Sequence, residues 1–212
     1  MMNSEHKWLG VRIPKTGGIS LKCILVNTHD LDVLDDISNE DIANLYPQKT
    51  KKSKEALKNW TGGHWTIREY VDRCNIDLDD YFKFAFVRNP WDRAVSHYFY
   101  KKDDMFDGMP YSTKNMPFEE YVSNWDHRLQ LDWITDHNGN VAMDFIGRFE
   151  NFEHDTNEVL DRIGLGKHKI PHLNKSSRPR KPYWEHYTDK TKDIVAKVFK
   201  KDIKYFGYEF GK

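Results

Sequence analysis

The chain has 212 residues, within the range of one domain, and a single core can serve all of it. Lys plus Arg and Asp plus Glu number 33 each, for a formal net charge of zero, which excludes a generally basic nucleic-acid binder and leaves room only for a local basic pocket. With 7 Trp, 11 Tyr and 12 Phe, the core is expected to be built from large side chains. No run of about 18 apolar residues occurs, and the stretch ahead of Lys15 lacks the apolar centre of a secretory signal. A cytoplasmic protein without a membrane span is therefore expected. Cys23 and Cys74 are the two cysteines, read as buried free thiols.

No internal repeat, low-complexity block or long linker divides the chain, so residues 1–212 are expected to form one domain. Trp8 to Ile13 is a short apolar run stopped by Pro14 and reads as a buried strand. Lys15-Thr16-Gly17-Gly18 is a tight glycine loop, and Ile19 to Val26 carries apolar residues at helical spacing. Asp30 to Lys58 is polar, acidic and then basic. Tyr81 to Val87 has the length and aromatic content of a buried parallel strand. Asn89 is placed to cap a helix over Trp91 to Lys102, with Pro90 at its first position and Ala94, Val95, Tyr98 and Phe99 on one face. Asp103 to Pro117 reads as a loop and Phe118 to Trp125 as a short helix.

Further on, Asn138-Gly139 is a turn signal, so Trp133–Thr135 and Val141–Ile146 are expected to pair as a hairpin. Phe152 to Ile163 is an amphipathic helix stopped by Gly164. His168 to Tyr183 is proline-rich, basic and irregular. Thr188 caps a last helix whose inner face holds Ile194, Val195, Val198 and Phe199. Two strand-loop-helix units in the first hundred or so residues indicate an α/β fold, with a parallel sheet flanked by helices.

Two segments carry chemistry. In Ile13 to Leu21, glycines let the backbone close around an anion, and the helix start behind them offers free N–H groups and a positive dipole end. Lys15 adds a charge, and Thr16 and Ser20 add hydroxyls. The lysine precedes the glycines, so this is not the Walker arrangement; a plain strand-to-helix turn with a solvated lysine is the alternative. In Phe86 to Ser96, Arg88 falls at the carboxyl end of a buried strand, where open α/β sheets bind ligands. Ser96 lies about one and a half turns past Pro90, and a guanidinium and a hydroxyl so spaced suit one phosphate. Arg93 reads as a surface or salt-bridged residue. His168 and His172 have the spacing of a metal pair, but Pro171 argues against a helix, and no metal is expected.

Together these segments, Pro-Lys-Thr-Gly-Gly followed by Ser-Leu and Phe-Val-Arg-Asn-Pro-Trp-Asp-Arg-Ala-Val-Ser, resemble the two cofactor motifs of sulfotransferases. The likeness is nearest to the branch that sulfates carbohydrates at 2-O and 4-O positions. It continues through Asp144–Phe152, Pro171–Ser177 and Asp202–Tyr208. The resemblance implies a P-loop-NTPase-like sulfotransferase fold that uses 3′-phosphoadenosine 5′-phosphosulfate and releases 3′,5′-adenosine bisphosphate. It implies that Lys15, Thr16, Gly17, Gly18 and Ser20 grip the 5′-phosphosulfate and that Arg88 and Ser96 grip the 3′-phosphate. Ile19 stands where many relatives carry threonine. Trp60-Thr61-Gly62-Gly63-His64-Trp65 resembles the segment that holds the catalytic base in the 2-O branch. A neutral imidazole is suited to that role near pH 7. Ser177 and Arg178 match a late basic loop that folds over the cofactor in the family; a solvated charge cluster is the alternative.

The expected partners are the donor and a hydroxyl-bearing acceptor, a carbohydrate or small molecule. Two other readings stay open. One is a small-molecule or nucleotide kinase, opposed by the missing Walker lysine and by the lack of an evident acidic magnesium ligand. The other is a non-catalytic module that binds a nucleotide or a sulfated glycan.

Overall fold

A computed structural model describes residues 1–3, 5–29, 64–74, 76–102, 106–124, 128–167, 170 and 181–212. In chain order the strands are β1 (Met2–Asn3), β2 (Trp8–Val11), β3 (Phe82–Val87) and β4 (Phe145–Arg148). The helices are α1 (Gly18–His29), α2 (Ile67–Cys74), α3 (Pro90–Lys101), α4 (Phe118–Asn124), α5 (Gln130–Ile134), α6 (Phe152–Arg162), α7 (Asp189–Val198) and α8 (Lys200–Phe206). Contacts divide the chain into two compact units. The first comprises Met1–Thr50, Asn59–Val87 and Gln130–Asn174, and the second Lys51–Lys58, Arg88–Leu129 and Lys175–Lys212.

The first unit holds a sheet whose described strands run in the order β1-β2-β3-β4. β2, β3 and β4 are parallel, and β1 adds an antiparallel edge. This is an α/β architecture with a mostly parallel, helix-flanked sheet. β3 reads Phe-Lys-Phe-Ala-Phe-Val and is buried along nearly all its length, as a strand covered on both faces requires. Gly10 pairs with Phe84 across the β2–β3 ladder, and a Cβ there would stand 2.6 Å from the Phe84 ring. One strand has no side chain so that its neighbour can lay an aromatic ring over it. Leu21, Ile24 and Leu25 of α1 join Val159 and Leu160 of α6 over Trp8, Phe84 and Phe86. Lys83 is buried within β3, where its Nζ donates to the carbonyls of Leu78 and Tyr81, both at 2.9 Å, and pairs with Asp144.

The second unit packs α3, α4 and α7 around Ala94, Val95, Tyr98, Tyr121, Val122, Val195 and Phe199. Asn89 caps α3 by accepting from the Trp91 N–H at 3.1 Å, and Pro90 follows it. Thr188 caps α7 through a reciprocal pair with Thr191. Among the described residues no helix is long and apolar enough to cross a membrane.

Three expectations need correction. The hairpin is absent: Trp133 and Ile134 end helix α5, a single bridge joins Thr135 to Val141, and Phe145–Arg148 pairs in parallel with β3. The Asn138-Gly139 turn does form, with Asp136 accepting from the N–H groups of Asn138 and Asn140. It joins a helix to a parallel strand. Of the two readings of Arg93, surface or salt-bridged, the surface one is corrected: the residue is 3% exposed, and the charge of Asp202 acts on it. Cys74 is a free thiol but only half-buried, while the Cys23 side chain and the polar stretch from Asp30 to Lys58 lie outside what the structure describes.

Candidate active site

In the first unit, β2 leads through the buried residues Arg12 and Ile13 into the glycine loop. Lys15 has φ of 71° and Gly17 has φ of 90°, so left-handed residues stand on either side of Thr16. Such backbone makes successive N–H groups converge, as in anion-binding nests. Lysine in this region is uncommon for a residue with a Cβ and costs roughly 1–2 kcal/mol; the surrounding packing must hold it there. Gly17 has no alternative, because a Cβ would lie 2.4 Å from the Phe152 ring. α1 starts at Gly18, which presents the N-terminal end of a long helix to the loop, and Ser20 is buried in its first turn.

The Thr16 hydroxyl turns back into the loop. Its Oγ1 donates to the Ile13 carbonyl at 2.9 Å, and the residue is 1% exposed. A hydroxyl has one proton to give, so here the side chain closes the loop.

His64 is half-buried and its Nδ1 lies 2.8 Å from the carbonyl oxygen of Arg12. A carbonyl only accepts, so Nδ1 carries the hydrogen and, in the neutral ring, Nε2 carries the lone pair. The imidazole also meets Trp133 edge-on, with ring centroids 5.9 Å apart. Just beyond it, Thr66 and Glu69 open α2 as a capping box. Glu69 Oε2 accepts from the Thr66 N–H at 2.8 Å, and the Glu69 N–H donates to Thr66 Oγ1 at 3.2 Å. The imidazole is thus tied on one side to a capped helix and on the other to the strand segment that runs into Lys15. Sequence reasoning passed over that box, although Thr-x-x-Glu ahead of a helix is its usual signal.

In the second unit, Arg88 is the residue that follows β3, and both its Nε and Nη2 bond Asp92 Oδ2, at 2.9 and 2.7 Å. The two side chains are 9% and 16% exposed. Ser96 is buried about one turn beyond Asp92 on the same helix. Asn89 does more than cap. Its Nδ2 donates to the Tyr183 hydroxyl at 3.2 Å and to the Glu209 carbonyl at 2.9 Å, fastening the start of α3 to a distant stretch of the unit. Next along the helix, the Arg93 pKa is lowered to about 10, chiefly by burial, against the opposing pull of Asp202, which is itself fully buried. Ser177 and Arg178 lie outside the described residues, as do His168 and His172. Among the described residues no group of His, Cys, Asp and Glu side chains is arranged to hold a metal ion.

A family model described as "Sulfotransferase family" matches residues 1–209. An uncharacterized protein of Archaeoglobus fulgidus is 41% identical over 105 residues, covering 48% of this chain and 81% of its own length. Carbohydrate sulfotransferase 11 of Mus musculus is 25% identical over 181 residues, covering 68% of this chain and 51% of its own length, and the Rattus norvegicus protein of that name gives the same values. The chain therefore spans about half the length of the mouse and rat relatives. No solved structure gives a significant match.

Proposed function

The chain belongs to the sulfotransferase family, and on that premise we propose that it moves a sulfuryl group from 3′-phosphoadenosine 5′-phosphosulfate to a hydroxyl on a carbohydrate or small molecule. Residues 1–212 act as one catalytic domain in this reading. The P-loop-like segment takes the 5′ end of the donor, through the amides of Thr16, Gly17 and Gly18, the Ser20 hydroxyl and the Lys15 ammonium. Arg88 and Ser96 take the 3′-phosphate, with Ser177 and Arg178 as further donor contacts. Carbohydrate as the acceptor class draws support from the mouse and rat relatives, carbohydrate sulfotransferases by name.

The acceptor oxygen attacks sulfur in line. Its proton passes to Nε2 of His64, and the bond from sulfur to the bridging oxygen breaks. The electron pair stays on that oxygen, which leaves as part of 3′,5′-adenosine bisphosphate. Lys15 and the loop amides stabilise charge that grows as this bond breaks, the kind of contact that accelerates a reaction instead of merely binding its substrate. They supply the electrophilic role that a metal ion would otherwise take.

The observation that carries the reading is the hydrogen bond from His64 Nδ1 to the Arg12 carbonyl. It joins the candidate base to the segment bearing Lys15 and leaves Nε2 as the atom that exchanges a proton. The test is transfer of sulfur label from the donor to a panel of oligosaccharides and small phenols, with at least one product expected. A panel left unlabelled by a protein that still binds 3′,5′-adenosine bisphosphate would mark a nucleotide-binding module and end the catalytic reading.

A further inference from the structure

We propose that Asp92 is a positioning residue, which holds the Arg88 guanidinium in the orientation that lets this protein select a nucleotide bearing a 3′-phosphate. The inference rests on the assignment of Arg88 to that phosphate.

Two bonds from Arg88, through Nε and Nη2, end on a single oxygen, Oδ2 of Asp92. The contact therefore takes one edge of the planar fork and fixes both its plane and its direction. An arginine side chain carries about 2 kcal/mol of rotamer entropy. A guanidinium locked before the ligand arrives need not lose that freedom on binding, which is the advantage of preorganisation. The pair is mostly buried, so it is screened far less than a surface ion pair.

A second cation makes the clamp necessary. Arg93 is the neighbour of Asp92 in sequence and is buried, and Arg88 and Arg93 repel one another. Loss of the Asp92 carboxylate leaves Arg88 with that repulsion and without its ion-pair partner. Asp92 lies in the first turn of α3, where a carboxylate also suits the helix dipole. Ser96 lies about one turn further on along the same helix.

A dipole-stabilising acid and an orienting acid predict different behaviour. Loss of the former lowers stability and affects all nucleotides alike; loss of the latter reduces selectivity for the 3′-phosphate. The experiment measures dissociation constants for 3′,5′-adenosine bisphosphate and for 5′-AMP, which differ only in that phosphate, on the wild type, Asp92→Asn and Asp92→Glu. The wild type is expected to prefer the bisphosphate. Asp92→Asn keeps the shape and loses the charge, so the preference should fall by about ten- to a hundredfold while 5′-AMP binding stays within about twofold. Asp92→Glu restores the charge on a longer stem and should recover part of the preference.

An undiminished preference in a folded Asp92→Asn protein would overturn the proposal. So would a stronger one, since it would show that the carboxylate competes with the phosphate for Arg88. If Asp92→Asn does not fold, Asp92→Ser, which also removes the carboxylate, decides by the same ratio: a preference equal to wild type refutes the positioning role. A wild type with no preference at all removes the assignment of Arg88 itself, an outcome distinct from these.

Discussion

Gly17→Ala should damage the protein far more than Gly18→Ala, although the two glycines are adjacent in one loop. At Gly17 the backbone has φ of 90° and a Cβ would stand 2.4 Å from Cε2 of Phe152. The first fault costs roughly 1–2 kcal/mol. Phe152 cannot withdraw easily, because it is buried and packs on Phe86 with ring centroids 5.2 Å apart. Overpacking of that kind typically costs about 1–3 kcal/mol, so the sum is about 3 kcal/mol. At Gly18 the φ is unremarkable and the nearest atom is a carbon of the flexible Arg12 side chain, 3.3 Å away. Alanine there also gains helix propensity, and the net effect should lie within about 0.5 kcal/mol. For a chain of this size, thermal unfolding should show a fall of about 6–12 °C for Gly17→Ala and about 2 °C at most for Gly18→Ala. Equal shifts, or an unaltered Gly17→Ala protein, would refute the account of the loop in which Gly17 is required by both backbone and packing.

His64→Ala should lower turnover by about a hundred- to ten-thousandfold while binding 3′,5′-adenosine bisphosphate as the wild type does; single-turnover assays and calorimetry check the two halves. Arg88→Ala should weaken binding of the bisphosphate, whereas Lys15→Ala should mainly lower kcat, since its partner charge grows only as the bond breaks. A Lys15→Ala enzyme altered in KM alone would be evidence against the leaving-group role. Asp202→Ala should cost about 3–5 kcal/mol in denaturant unfolding, because it leaves Arg93 charged and buried without its carboxylate.

What the sequence made legible is what local chemistry decides. β2 and β3 are continuous apolar runs because both faces are covered, and the Asn89-Pro90 start of α3 is a capping signal that needs no distant partner. The features that were misread depend on residues far along the chain. Phe145 and Ile146 look like the second strand of a hairpin, but their partners are Phe84 and Ala85, and an Asn-Gly turn does not say what it joins. Arg93 carries a charge that local pattern sends to the surface. Its burial involves the charge of Asp202, from a remote segment, and the Arg128 carbonyl, to which it donates. Arg88, Ser96 and the glycine loop announce themselves as candidates by type and spacing. That Thr16 closes the loop instead of facing out of it follows from the fold of the Ile13 carbonyl, which no spacing reveals.

The partner chosen for His64 bears on how a base of this kind works. A backbone carbonyl can accept but never donate, so Nδ1 keeps its hydrogen before and after Nε2 takes a proton. The same contact therefore serves both states of the ring, and it strengthens as the ring becomes charged, since a hydrogen bond from an imidazolium is charge-assisted. The Arg12 carbonyl does not have to reorient during the transfer, which is the condition under which fixed polar groups contribute most. The carbonyl belongs to Arg12, whose own aliphatic stem lies beside Gly18 at the start of α1. One short stretch, from Arg12 to Gly18, thus orients the imidazole through its main chain, bears Lys15 in a left-handed conformation and opens the helix behind the loop. In the proposed reaction the proton acceptor and Lys15 are thus anchored through the same few residues, whose backbone bears one and hydrogen-bonds the other.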